Sequence, residues 1–411
     1  MALLSCDISE LCLGKPLLKP FSVSSTIRDA LSALNKTECE TYLSVWNGSS
    51  SSSKCIGKIS TVDIICFLCR EDNLCDPLSA LESPVSVLLS HAHEGIVRHV
   101  DPNTSLLEAL DLITVEGVQN LVVPIHAHAK YNNSSSYSIS KKKKQLKSIY
   151  GCGGPLLGYC WLTQEDVLRF FFSYISFLSP LPTLSLRSLG LIRTQEDILT
   201  VGYHEPASSA LDAIVLAHAQ QTSVAVVSPD GKLIGEISPS TLATCKETIA
   251  PAIATLSAGD LLAYIDRGGP PRELVQVVKA MLRERGGDMD GMLELLGDGD
   301  SWSSSSSCSS DDESSSSSLS SPKGPLLLQR EFSSKRRWGG SSYSVRMVQQ
   351  AAEEAIVCHG ESSLVAVMVQ ALAHRVNYVW VIEKDYTLAG IVTFSDILNV
   401  FREHLLASHS Q

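Results

Sequence analysis

The stretch LAGIVTFSDILNVF, Leu388 to Phe401, decides how the rest of the chain is read. Its first half is short and β-branched and predicts a strand, and its second half carries apolar residues at helical spacing. Thr393, Ser395 and Asp396 stand at the junction. Ser, Thr and Asp are favoured helix N-caps, so one sufficient role for them is to start the helix. Whether they do more depends on what surrounds the stretch.

Working backwards, NYVWVIEKD (Asn377 to Asp385) reads as a strand, and SSLVAVMVQALAHR (Ser362 to Arg375) as the helix before it. The same order recurs upstream. PASSALDAIVLAHAQQTSVAVVSPDGKLIGEISPSTLATC (Pro206 to Cys245) gives helix, strand, Asp-Gly turn, strand and helix start. PNTSLLEALDLITVEGVQNLVVPI (Pro102 to Ile125) begins it again, and LLGYCWLTQEDVLRFF from Leu156 completes it. The first copy is SSTIRDALSALNKTECETYLSVWNG (Ser24 to Gly48) followed by CIGKISTVDIICFL (Cys55 to Leu68). Each unit reads strand, helix, strand, strand, helix, and repetition of a unit outranks any single motif.

Between these units the composition changes. Residues 127–155 open the second unit's hairpin with a polar insertion, and residues 298–344 form a serine-dominated tract too poor in apolar residues to build a core. Both are expected to be disordered. RELVQVVKAMLRERGG (Arg272 to Gly287) predicts a linker helix. The expected division is 15–75, 84–180, 190–265 and 345–408 for the four units, with linker helices over 266–297.

Composition excludes several classes. The chain has 411 residues, 44% hydrophobic and 19% charged, with a formal net charge of −11. That balance argues against nucleic-acid binding, which needs a basic face. Twelve cysteines without a secretory signal read as reduced thiols. The N-terminus has neither signal- nor transit-peptide character, which predicts a cytoplasmic protein, with a nuclear fraction if KKKK (Lys141 to Lys144) acts as an import patch. VLRFFFSYISFLSPLP (Val167 to Pro182) is too short and interrupted for a membrane span. No nucleophile elbow, H-E-x-x-H or P-loop occurs, so no enzyme is expected. Cys66 and Cys69 of CFLC lie in an apolar helical run and read as buried thiols rather than a metal site.

A βαββα unit ending in Gly-apolar-x-Thr/Ser-x-x-Asp resembles the CBS domain, named for cystathionine β-synthase. Four in one chain resemble the γ regulatory subunit of AMP-activated protein kinase and the plant stand-alone CBS-domain (CBSX) proteins; the serine tract fits the plant group best. The resemblance implies an α+β fold of four units, paired through their sheets into two Bateman modules. It also implies that the Thr or Ser hydroxyl approaches a nucleotide phosphate while the Asp carboxylate accepts from the ribose 2′- and 3′-hydroxyls. A carboxylate has two acceptor oxygens for a vicinal diol, and a helix N-terminus has unpaired N–H groups for an anion.

The copies match unequally. The fourth has Gly390, Thr393, Ser395 and Asp396; the first has Gly57, Ser60 and Asp63. The second has Thr163 and Asp166 but Cys160 for the glycine, and the third has Gly235 and Ser238 but Thr241 for the aspartate. Where the γ subunit places basic residues for phosphate, this chain has Thr41 and Tyr42, Gln119 and Asn120, Thr222 and Ser223, and Asn377 and Tyr378. Reduced phosphate affinity is expected, unless Arg187, Arg193, Arg346 or Lys384 enters from another direction. The site expected to be best pairs Thr393, Ser395 and Asp396 with Thr222, Ser223 and Asn377; others use Thr163 with Asp166, and Ser60 with Asp63.

The resemblance implies a regulatory protein that binds AMP, ADP, ATP or S-adenosylmethionine, needs no obligatory cofactor, and acts on a protein partner such as a kinase or a redox enzyme, with homodimerisation open. The competing expectation is a ligand-free scaffold controlled through the serine tract. There Ser309 and Ser310 precede Asp312 and Glu313 by three residues, and Ser333 follows Leu328 and Arg330 at a kinase-like spacing beside KRRW. These three serines are the phosphorylation candidates.

Overall fold

The computed structural model describes residues 4–36, 41–48, 54–89, 97–126, 157–194, 198–265, 270–296 and 355–408. The insertion at 127–155, the serine tract with Ser309, Ser310 and Ser333, and Arg346 lie outside them. The four repeats fold as four separate three-stranded sheets. In chain order the strands are β1 Pro20–Ser22, β2 Tyr42–Asn47 and β3 Lys54–Ser60 in unit 1, then β4 Val97–His99, β5 Asn120–His126 and β6 Leu157–Thr163 in unit 2. Unit 3 has β7 Thr200–Gly202, β8 Val224–Val227 and β9 Leu233–Ile237, and unit 4 has β10 Val357–Cys358, β11 Tyr378–Ile382 and β12 Leu388–Thr393. In each sheet the first strand runs parallel to the second and the second antiparallel to the third.

The central strands are apolar on both sides because both sides are covered. All five residues of β11 and the four inner residues of β2 are buried. That is the pattern of a sheet packed between helices and another sheet. The helices carry one apolar stripe instead: Ile27–Lys36 buries Ile27, Ala30, Leu31 and Leu34, spaced by three and four.

Two kinds of seam join the units. Sheets meet sheets between units 1 and 2, through Trp46, Cys55 and Val122, and between units 3 and 4, through Ala225, Leu233, Trp380 and Ile391. These are the two Bateman modules. Helices meet helices across the modules. Unit 1 shares a core with unit 3, which the helices Ala250–Thr255, Ala258–Ile265, Arg272–Arg285 and Asp290–Leu296 extend. Unit 2 shares one with unit 4, where the Phe171 and Phe401 rings are 5.6 Å apart. Each unit therefore touches one neighbour by its sheet and another by its helices.

Short segments ahead of units 1 and 3 cross onto their sheet partners. The N–H of Leu18 donates to the carbonyl of Tyr159 on β6 at 2.8 Å. Arg193 and Ile391 of β12 exchange backbone bonds at 3.0 and 3.1 Å. The second crossing explains the motif glycine of unit 4. A Cβ on Gly390 would stand 2.3 Å from Ile192 Cγ2 and 2.4 Å from the Arg193 carbonyl oxygen. In units 1, 3 and 4 the register slips one residue beside this glycine. Unit 2, with Cys160 there, pairs from Asn120 to His126 without a slip. There the close approach falls on Gly158, whose Cβ would stand 2.3 Å from Leu17 Cδ2. Cysteine is tolerated because the crossing segment passes elsewhere.

No helix among the described residues is long and apolar enough to cross a membrane. Cys66 and Cys69 are both buried, at the end of the helix Thr61–Leu68. Burial pushes the Cys69 thiol up to about 12 and the Cys66 thiol up as well.

Candidate ligand sites at the helix caps

Each motif aspartate first does the local task that its position dictates. The Thr393 hydroxyl and N–H donate to Asp396 Oδ2 at 2.7 and 3.0 Å, and the Asp396 N–H returns a bond to Thr393 Oγ1 at 3.3 Å. Thr163 and Asp166 repeat this box at 2.7, 2.8 and 3.3 Å. Ser60 donates to Asp63 Oδ2 from its N–H at 2.6 Å and its hydroxyl at 2.9 Å. Reciprocal capping satisfies two orphan groups of the helix start. In unit 3, Ser238 caps the N–H of Ser240 at 3.2 Å, and Thr241 supplies no carboxylate.

Capping leaves carboxylate capacity over, and a group from another unit uses it each time. Arg193 of the unit 3 lead-in donates from Nε and Nη2 to Asp396 Oδ1 at 2.9 and 2.7 Å. Lys15 of the unit 1 lead-in lies 2.5 Å from Asp166 Oδ2. His218 of unit 3 has Nε2 2.9 Å from Ser60 Oγ and 3.3 Å from Asp63 Oδ2. Neither Lys15 nor His218 was marked by the motif, because both come from segments remote in sequence. Arg193 is one of the four cations named as candidates. Arg187, another of them, pairs instead with Glu361 and Glu383 on the surface, at 3.0 and 3.4 Å.

Thr222 and Ser223 are buried, and the Ser223 hydroxyl donates to the Ile237 carbonyl at 3.0 Å. Asn377 does lie on the seam of units 3 and 4, donating from Nδ2 to Gln221 Oε1 at 2.7 Å. Ser395 is half-buried in the first turn of the helix Phe394–Ala407. Between units 1 and 3, a cavity of about 30 Å³ is lined by Asp63, His218, Cys66, Arg70 and apolar neighbours. It has room for a water molecule, not for a nucleoside.

The sheet seams hold two further charged groups that sequence reading passed over. Lys58 on β3 donates to Asn120 Oδ1 at 3.0 Å, and its ammonium sits 3.7 Å from the Tyr42 ring centroid and 5.8 Å from that of Trp161. Burial lowers its pKa from the usual 10.5 to about 8, against the attraction of Asp63. Glu236 on β9 accepts from Tyr378 Oη at 2.9 Å and from Trp380 Nε1 at 2.5 Å. Burial raises its carboxyl above the ordinary range, although these donors and Ser223 pull it down.

The sequence comparisons agree with this architecture. Residues 348–403, the fourth unit, match the CBS domain family. The SNF1-related protein kinase regulatory subunit gamma-like PV42b of Arabidopsis thaliana is 20% identical over 86% of this chain and 77% of its own. A crystal structure from Methanocaldococcus jannaschii, described as a candidate archaeal homolog of γ-AMPK, superposes with a TM-score of 0.51 at 14% identity, covering 96% of this chain and all of that one. At that identity the match shows the fold alone. The Arabidopsis CBS domain-containing protein CBSX6 is 26% identical over 95% of this chain and 92% of its own, and CBSX5 is 44% identical over 98% of both. Four βαββα units in two sheet-paired modules, with that identity along essentially the whole length, place this chain in the family of plant CBS-domain-containing CBSX proteins.

Proposed function

We propose that this chain is a non-catalytic regulatory protein that senses an adenosine-containing ligand at its helix caps and passes occupancy to a protein partner. The observation that carries this reading is the division of labour within Asp396. One oxygen closes the cap, and the other is turned outward and holds a cation delivered by the neighbouring unit. A carboxylate needed only for capping requires no such second partner. A ribose diol would replace the guanidinium at Oδ1, and Arg193, once released, would be available to the partner. A ligand shifts such an equilibrium only by its differential affinity for the two arrangements. Here the difference is the ion pair that is lost and the contacts that are gained. The kinship with a kinase regulatory subunit favours a kinase among partner classes.

Thermal-shift titration with adenosine, AMP, ADP, ATP and S-adenosylmethionine, on the full chain and on Asp396→Asn, tests the reading. Stabilisation by at least one ligand, diminished in Asp396→Asn, is the expected result. A second reading, the ligand-free scaffold, draws on Trp380, Tyr378 and Glu236, which fill the seam of units 3 and 4 with a satisfied network. Absence of any shift across the five ligands would leave that reading standing.

A further inference from the structure

Lys58 and Glu236 occupy the same place in the two modules. Each follows the motif glycine of an odd-numbered unit, Gly57 or Gly235, and stands two residues before the capping serine, Ser60 or Ser238. Each points into the sheet seam and meets the same partner position on the even-numbered unit. Asn120 is the register partner of the cap residue Thr163, and Tyr378 is that of the cap residue Thr393. Lys58 bonds to Asn120, and Glu236 accepts from Tyr378. The contact is conserved in position and reversed in charge.

Reversal has an electrostatic consequence because both groups are half-buried and turned into the seam. In a seam of low dielectric a single charge acts strongly on whatever enters beside it. Lys58 has three N–H donors, of which Asn120 takes one while the Tyr42 face offers only its π electrons. Tyr42, the register partner of Ser60 and the ring over which the ammonium lies, is 40% exposed, whereas Ser60 and Asn120 are buried. In the other module the corresponding charge is a carboxylate held by two donors beside Tyr378 and Trp380, which are 5% and 0% exposed. A phosphate brought next to it meets like charge and no basic group at Thr222 or Ser223.

We propose that the modules select ligands of opposite charge: the seam of units 1 and 2 takes a phosphate-bearing adenosine ligand through Lys58, and that of units 3 and 4 excludes phosphate through Glu236 and accepts an uncharged or cationic adenosine ligand. This rests on the sensing function proposed above and adds to it which module reads which chemical class. Lys15 and Arg193 are each already paired with a cap carboxylate, Asp166 and Asp396, so the difference between the modules rests on Lys58 and Glu236.

Isothermal titration of the full chain with AMP, adenosine and S-adenosylmethionine tests the assignment, using wild type, Lys58→Met, Lys58→Arg and Glu236→Gln. A charge-assisted bond contributes a factor of roughly ten to a hundred in affinity. Lys58→Met is expected to lose that factor for AMP and to leave adenosine unchanged, while Lys58→Arg restores AMP binding in the same fold. Glu236→Gln is expected to add a second AMP binding event without weakening adenosine. Equal losses of AMP and adenosine in Lys58→Met would reduce Lys58 to a packing residue and overturn the assignment, as would AMP affinity indifferent to both substitutions. In either case binding itself would persist and the sensing function would survive. Failure of all three ligands to bind wild type would instead remove the sensing function, and this assignment with it.

Discussion

Arg193 and Asp396 are 203 residues apart in the chain and are joined by two hydrogen bonds, of 2.9 and 2.7 Å, to one carboxylate oxygen. The pair links the lead-in of unit 3 to the helix cap of unit 4, so it reports on the packing of the whole second module. Arg193 is 36% exposed and Asp396 18%, which places the pair between surface and interior. A double-mutant cycle with Arg193→Met and Asp396→Asn is expected to give a coupling of about 0.5–1 kcal/mol in denaturant unfolding. A coupling near zero would mean that the contact orders neither segment.

Gly390 makes that arrangement sterically available. Gly390→Ala drives a methyl group against the Ile192 side chain and, with less room to yield, the Arg193 backbone. The expected cost is about 1–3 kcal/mol. Gly158→Ala meets only the end of the Leu17 side chain and should cost less. Midpoints of thermal unfolding for the two variants, compared side by side, check the order. The reverse order would show that the lead-in of unit 3 adapts more readily than the structure implies.

Lys58 gives stability a pH dependence whose sign follows from its depressed pKa. The folded state holds the proton less tightly than the unfolded chain, in which the group titrates near its usual 10.5 rather than about 8. Stability therefore carries the cost of the buried charge below pH 8 and regains it as pH rises from about 8 towards 10.5. Tyr42 and several thiols also titrate in alkali, so the informative quantity is the difference between wild type and Lys58→Met. That difference should change across this window and be flat below it. A flat difference throughout would mean that Lys58 keeps an ordinary pKa in the fold.

His218 is the polar contact by which unit 3 reaches the unit 1 cap. It is half-buried beside Asp63 and stacked against Tyr42 at a centroid separation of 6.2 Å. His218→Ala removes a bond from Ser60 and opens space beside a water-sized cavity, with an expected loss of about 1–3 kcal/mol. Hydrogen exchange should show the loss at the amides of Ser60 to Asp63 rather than in unit 4. Exchange rising equally in units 2 and 4 would contradict a local role.

The repeat itself was legible because it rests on local patterning: helical spacing, β-branched strands and a capping residue recur in each unit. Asp396, Asp166 and Asp63 were legible for the same reason, since a cap is a local motif. What the sequence did not disclose is which groups approach these carboxylates from elsewhere: Arg193 was one of four candidate cations with no partner assigned, and Lys15 and His218 were not marked at all. Lys15 and Arg193 arrive on segments that cross to the partner sheet, and His218 arrives across the helical seam. Lys58 and Glu236 sit within recognised motifs but at a position with no local signature; only the pairing of sheets makes them face Asn120 and Tyr378. The helical pairing of unit 1 with unit 3 was equally hidden, because an apolar stripe says that a face is buried and not by what.

The central claim is that the outward oxygen of Asp396 is a ligand acceptor temporarily held by Arg193. Isothermal titration of adenosine into wild type and Arg193→Met measures this most directly, because adenosine has no phosphate for the arginine to bind. Vacating the carboxylate should tighten adenosine binding, and adding Asp396→Asn should abolish the gain. Unchanged or weaker adenosine binding in Arg193→Met, or no binding in either protein, would contradict the account.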